Sequence, residues 1–155
     1  MVQNAVALIP HLVVTPAAEA IEFYKRAFGF EELHRMSGPD GRSVMHAHLQ
    51  LGDAHLMLAD EFDCGPASEG YGSPRKVGGT TVMLHLQVPD VDAAFARAVK
   101  AGATAIMPPA DMFWGDRYGQ IRDPFGHRWS MATTKEKLTP EQMRDRGKAA
   151  MANFK

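Results

Sequence analysis

Apolar and polar residues alternate from Val6 to Val14, and the spacing then changes to about 3.6 residues from Ala17 to Phe28, with Ile21, Tyr24 and Phe28 on one face. The same change recurs between Thr81 to Val88 and Val91 to Ala101, where Phe95, Ala98 and Val99 share a face. A strand entering a helix produces this signature, because side chains alternate across a strand and wind around a helix. Gly29 and Gly102 stand where a helix C-cap favours a residue tolerant of positive φ. After the first helix the pattern predicts strands at Phe30 to Met36, Ser43 to Leu51 and Ala54 to Asp60. After the second it predicts Thr104 to Met107, Asp116 to Arg122 and His127 to Thr133. Gly52-Asp53 and Asp123-Pro124-Phe125-Gly126 supply the tight turns before the last strand of each set.

The two halves are copies of one unit. His11, Leu12, Val14, Ala20 and Ala27 match His85, Leu86, Val88, Ala94 and Ala101 in a constant register. The fold class that follows is α+β: two tandem βαβββ modules forming a cupped mixed sheet with helices on the outside, plus a C-terminal helix. Module one covers residues 5–60 and module two 81–134, within a single domain of residues 1–135. The intervening segment 61–80 carries five glycines and two prolines without an apolar period, which reads as a loop or flap. In the extension 136–155, Thr139-Pro140-Glu141-Gln142 combines a capping box with proline at the first helical position, predicting a helix to about Asn153. Met143, Gly147, Ala150 and Phe154 fall along one side, suited to docking on the same domain or on a dimer mate.

Composition narrows the function class. A chain of 155 residues, 45% hydrophobic, can bury a sizeable core. Its net charge of -1, with Lys and Arg dispersed, offers no footprint for nucleic acid or an anionic membrane, so small molecules or protein partners are the better expectation. The lone Cys64 excludes an intrachain disulfide and a cysteine-rich zinc site, and no basic residue lies near it before Arg75, so a catalytic thiol has little support. Met1-Val2-Gln3-Asn4 lacks the basic start of a secretory signal, and no apolar run approaches the roughly 20 residues of a membrane span. A cytoplasmic location is expected.

Strand parity then singles out one face. With Leu8, Leu12 and Val14 against the helix, Ile9, His11 and Val13 lie opposite. With Met45, Ala47, Leu49 and Leu51 inward, Val44, His46, His48 and Gln50 face the other way. Leu56 and Leu58 inward leave His55 and Met57 outward, and Val82, Leu84, Leu86 and Val88 inward leave Met83, His85 and Gln87 outward. Five of the seven histidines therefore share a side, accompanied by Met and Gln rather than by the Lys and Glu of a plain solvated face. An enclosed surface of this kind can supply a base, a metal ligand or hydrogen bonds to a polar molecule; half-buried strand histidines bonded locally would look the same. Phe113-Trp114-Gly115-Asp116-Arg117-Tyr118-Gly119 mixes aromatics, an acid, a base and two glycines, which suits a pocket rim. The alternative has Trp114 and Tyr118 capping the core and Asp116 paired with Arg117. His46-Ala47-His48 has a chelating spacing, but no cysteine or carboxylate shares its face.

The duplicated unit, the phrase Ala20-Ile21-Glu22-Phe23-Tyr24-Lys25-Arg26-Ala27-Phe28-Gly29 and the closing Asp123-Pro124-Phe125-Gly126-His127 resemble the vicinal oxygen chelate superfamily, which includes glyoxalases, bleomycin-resistance proteins and extradiol dioxygenases. The resemblance spans about Ala5 to Ala132 and is strongest to the phosphonate-operon-associated or 3-demethylubiquinone methyltransferase-like branch. It implies a homodimer. It also implies a divalent metal in members that are enzymes, held from the first and last strands of each module, and the pattern lays those ligand positions on Ile9, Met57, Met83 and Ser130. None of these is a usual ligand for such an ion. The expectation is therefore a protein without the usual metal or another cofactor, holding its ligand in a cup lined by His11, His46, His48, His85, Trp114, Arg117 and Tyr118. In that cup Arg117 would grip an anionic group, and His11 or His85 would act as base if there is chemistry. The rival readings are a lyase, isomerase or dioxygenase with a shifted divalent-metal site at His11 and His85, and a non-catalytic drug-sequestering resistance protein.

Overall fold

The computed structural model describes residues 7–63 and 65–152, without the side chains of Ala67 and Ser68. Cys64, Phe154 of the expected C-terminal stripe and Asn153, the expected end of that helix, lie outside the described residues, as does Val6. The chain divides into two compact units, Met1–Gly79 and Thr80–Lys155.

In the first unit, β1 (His11–Val14) leads into α1 (Ala17–Phe28), followed by β2 (Glu31–Ser37), β3 (Val44–Leu51) and β4 (Ala54–Asp60). The strands form one mixed sheet in the order β1-β4-β3-β2, with β1 parallel to β4 and the other pairs antiparallel. The helix buries Ala17, Ala20, Ile21, Phe23, Tyr24, Ala27 and Phe28, and the sheet meets it with Leu12, Val14, Ala47, Leu49, Leu56 and Leu58. Removing that much apolar surface from water is the main stabilising term, at roughly 1.5–3 kcal/mol for each fully buried large side chain. Gly29 ends the helix at φ 86°, the left-handed conformation that the C-cap reading requires.

The second unit repeats the plan. β5 (Met83–Gln87), α3 (Val91–Lys100), β6 (Thr104–Asp111), β7 (Asp116–Arg122) and β8 (Arg128–Thr134) give a sheet in the order β5-β8-β7-β6, again with the first and last strands parallel. Between β4 and β5 the expected loop contains a 3-10 turn at Gly65–Ser68 and a short helix α2 (Pro74–Val77), whose first turn is closed by Ser73 Oγ accepting from the Lys76 amide. The helix α4 (Pro140–Ala152) begins at the expected capping box, with the Thr139 amide donating to Gln142 Oε1 at 2.9 Å and the Gln142 amide to Thr139 Oγ1 at 3.2 Å. It buries no residue; Gly147 and Ala150 are its half-buried positions.

One pair of contacts shows how far the duplication reaches. The last strand of each module turns a side chain back onto the start of the module's helix. Asp60 Oδ1 accepts the Ala17 amide at 2.8 Å, and Thr133 Oγ1 accepts the Val91 amide at 2.8 Å. These satisfy helix N-terminal donors that have no partner within the helix.

Three parity expectations are corrected. Leu8 is 98% exposed because β1 starts only at His11, and Val82 is 62% exposed because β5 starts at Met83. Val44 is buried and Met45 exposed, the reverse of the expectation. The pairing of β2 with β3 slips between Met36/His46 and Ser37/Val44, leaving Met45 as an extra residue, while the Val44 amide is drawn to Asp60 Oδ2 at 2.7 Å. From His46 onward the alternation is restored. β6 also extends beyond the expected Met107 to Asp111, with one register slip at Ile106 and a second across Pro108 and Pro109.

Candidate functional site

The sheet of the first unit carries an imidazole-rich face. Its register aligns His11 with Met57, Met57 with His48 and His48 with His34, so one row crosses all four strands on one side. His46, opposite Met36, and His55, opposite Gln50, flank that row. The rings touch in two groups, His34–His46–His11 and His48–His55. His11 stacks on His46 at a centroid distance of 5.6 Å and 29° between planes, His34 lies 6.2 Å from His46, and His48 Nε2 is 3.0 Å from His55 Nδ1. Val13 and Ala59, one step further along the same parity, are buried.

Two imidazoles of this face, His11 and His48, are shifted by their surroundings. Partial burial, reinforced by the neighbouring His46, holds His11 below the ordinary histidine range. His48 is lowered for the same first reason, with His55, His46 and His34 adding like-charge repulsion. Neutral imidazoles offer both a donor and an acceptor nitrogen and an uncharged ring face.

The second unit's corresponding face has a different chemistry. His85, the repeat partner of His11, is tied down: Nδ1 lies 2.8 Å from Ser130 Oγ and Nε2 3.2 Å from Gln87 Oε1, whose amide in turn donates to Thr134 Oγ1 at 2.9 Å. Tyr118 stacks on His85 at 6.3 Å and 16°, Trp114 meets Tyr118 edge-on at 5.6 Å, and Gln120 donates to the Tyr118 hydroxyl at 3.0 Å. The result is a half-exposed aromatic line, Trp114–Tyr118–His85, with polar neighbours. Gly115 makes the turn before β7 at φ 95°, and its carbonyl accepts the amides of Lys135 and Glu136. Any side chain there would collide with the Glu136 carbonyl.

Arg117 is placed apart from that line. It shares strand parity with Gly119 and the buried Ile121, on the side facing α3. Its guanidinium makes a bidentate pair with Asp92 of α3 and a 3.2 Å contact to Asp111 of β6. Hydrogen bonds to the two carboxylates raise its pKa further above the ordinary arginine value. One cation between two carboxylates leaves no free positive charge for an anionic ligand, so the expected anion grip is met internally. Thus Trp114, Tyr118 and His85 come together in the second unit, His11, His46 and His48 in the first, and Arg117 joins neither group.

Sequence reasoning missed His34 as a member of the first face. A register slip at Leu33 and the absence of alternation in Glu31–Ser37 conceal it. Ser130 was also missed as a partner of His85; equivalence to Met57 within the duplication was the available signal.

The superfamily's metal positions do not suit a divalent ion here. Ser130 is buried with its hydroxyl engaged by His85, Met57 offers only a thioether between His11 and His48, and Met83 and Ile9 add no oxygen or nitrogen donor. Among the described residues, no three His, Cys, Asp or Glu side chains are arranged to hold a metal. No helix among them is long and apolar enough to cross a membrane.

Comparison with known proteins agrees with this fold. A model of the Glyoxalase/Bleomycin resistance protein/Dioxygenase superfamily matches residues 4–131. An uncharacterized protein of Mycobacterium bovis is 50% identical over 127 residues, 81% of each chain. Among solved structures, TioX from Micromonospora superimposes with a TM-score of 0.65 at 27% identity, covering 84% of this chain and 99% of the other. TnmS3, an antibiotic binding protein from Streptomyces, shares the fold with a TM-score of 0.59 at 22% identity, covering 86% and 99%. With the duplicated βαβββ unit and a family match over most of its length, the chain belongs to the glyoxalase/bleomycin resistance protein/dioxygenase superfamily.

Proposed function

We propose that this protein binds a small polar-aromatic or amphipathic metabolite without the superfamily's metal. In this reading the ligand rests on the imidazole face of the first unit, against His11, His46 and His48; the face carrying His85, Trp114 and Tyr118 in the second unit, taken by itself, is the other candidate surface. The observation that carries it is the stacked His11–His46 pair, in which His11 is held below the ordinary histidine range. At neutral pH such a pair presents ring faces for stacking and nitrogens for hydrogen bonding, the mixture that orients a ligand in a largely apolar site. The Trp114–Tyr118–His85 line of the second unit, taken by itself, offers aromatic area with few rotatable bonds, which keeps the ordering cost of binding low. Arg117 supports β7 through Asp92 and Asp111 and is not a ligand contact in this reading.

A thermal-shift screen over carboxylates, phosphonates, quinone-like aromatics and glycopeptide drugs tests the proposal. A planar aromatic compound is expected to raise the melting temperature of the wild type, with each face tested separately: His11→Ala/His46→Ala is expected to lose the response to a ligand held on the first unit, and Trp114→Ala the response to one held on the second. If no compound shifts the wild type, or if the substituted proteins respond as it does, the proposal is wrong.

A further inference from the structure

We propose that His48 and His55 form a chelating site for a transition-metal cation that takes imidazole ligands at right angles, Cu(II) or Ni(II). The site uses none of the residues at the superfamily's metal positions, although His48 pairs across the sheet with Met57, and it needs no organic ligand. The pair is built by the β3–β4 hairpin. Gln50 aligns with His55 and His48 with Met57, so the two imidazoles are diagonal neighbours on one face, and the register through Leu51 and Ala54 fixes their spacing. Their facing nitrogens, His48 Nε2 and His55 Nδ1, are 3.0 Å apart.

That separation is the length of a hydrogen bond between the two rings, and it is also compatible with chelation. Two metal–nitrogen bonds of about 2.0–2.1 Å meeting at a right angle require nitrogens roughly 2.8–3.0 Å apart, whereas a tetrahedral angle requires about 3.3 Å. The observed spacing matches the first geometry, which Cu(II) and Ni(II) favour with nitrogen and oxygen ligands. Both side chains are half-buried, leaving the remaining positions of a square-planar shell to water. Without a metal, one ring must donate to the other across that gap. Metal binding requires lone pairs on both facing nitrogens, so the donor ring moves its proton to its other nitrogen. That is a change of tautomer, with no net loss of a proton.

Tag-free protein titrated with Cu(II) in the presence of glycine as competitor provides the test, read by electron paramagnetic resonance and by broadening of imidazole NMR signals. One copper per chain with hyperfine coupling to two ring nitrogens is expected, with His48 and His55 broadened before His11 and His85. Binding should weaken at least tenfold in His55→Ala. Absence of stoichiometric copper, unchanged affinity in His55→Ala, or broadening that begins at another histidine would overturn the assignment. The NMR readout uses the wild type, so it decides the question even if a substituted protein folds poorly.

Discussion

The two modules share a backbone plan and diverge in what they place on it. Asp60 and Thr133 occupy equivalent points of their last strands and perform the same task, accepting the first helical amide of their module. His11 and His85 are equally well matched, yet one joins a chain of imidazoles and the other is fixed by Ser130 and Gln87 beneath Tyr118. Contacts that close the helix onto the sheet are thus alike in kind in the two modules, and residues on the opposite face differ. Equivalence in a duplication identifies the scaffold more reliably than it identifies the chemistry.

The turn before the last strand separates the modules most sharply. In the second, buried Asp123 accepts the amides of Phe125 and His127 and the Trp129 indole N–H, each at 2.9 Å. In the first, Asp53 in the corresponding turn is exposed. Asp123→Ala leaves three donors in want of a partner and should cost about 3–5 kcal/mol, lowering the melting temperature by roughly 10 °C. Asp53→Ala should change it by no more than about 1–2 °C. Equal effects in calorimetry would dissolve the contrast. The family-signature phrase around Asp123 accordingly serves the fold.

A smaller effect tests the helix caps. Asp60 serves both the Ala17 and Val44 amides, so Asp60→Ala should cost about 2 kcal/mol. Thr133→Val removes one neutral acceptor and should cost about 1 kcal/mol. Denaturant titration of both variants would reveal whether the duplicated contact is worth more in the module where it also anchors the bulge at Met45.

The smallest expected effect concerns pH. His11 has a lower pKa folded than unfolded, so the unfolded chain takes up its proton first as pH falls. Its contribution to stability is complete above the ordinary value of 6.5 and declines as pH drops below it towards the folded value. Melting temperatures measured from pH 7.5 to pH 5 should therefore fall less steeply in His11→Ala than in the wild type, and an unchanged slope would contradict the crowding inferred on this face.

Much of the fold was legible because local signals agreed: the change of period after Val14 and Val88, the glycine after Phe28 and the capping box at Thr139 all point to the same elements. The site was less legible because faces depend on counting by twos. One extra residue at Met45 exchanged it with Val44, and another irregularity at Leu33 hid His34. Arg117 was within reach of the same counting, since the parity that buries Ile121 also turns Arg117 towards α3. Its partners Asp92 and Asp111 lie 25 and 6 residues away, and no local pattern announces them.

Calorimetric titration of a planar aromatic ligand drawn from the screen tests the ligand reading most directly, run on the wild type, on His11→Ala/His46→Ala and on Arg117→Gln. The account predicts at least a tenfold loss of affinity in the double variant and wild-type affinity in Arg117→Gln. Wild-type affinity in the double variant, or a loss confined to Arg117→Gln, would contradict it.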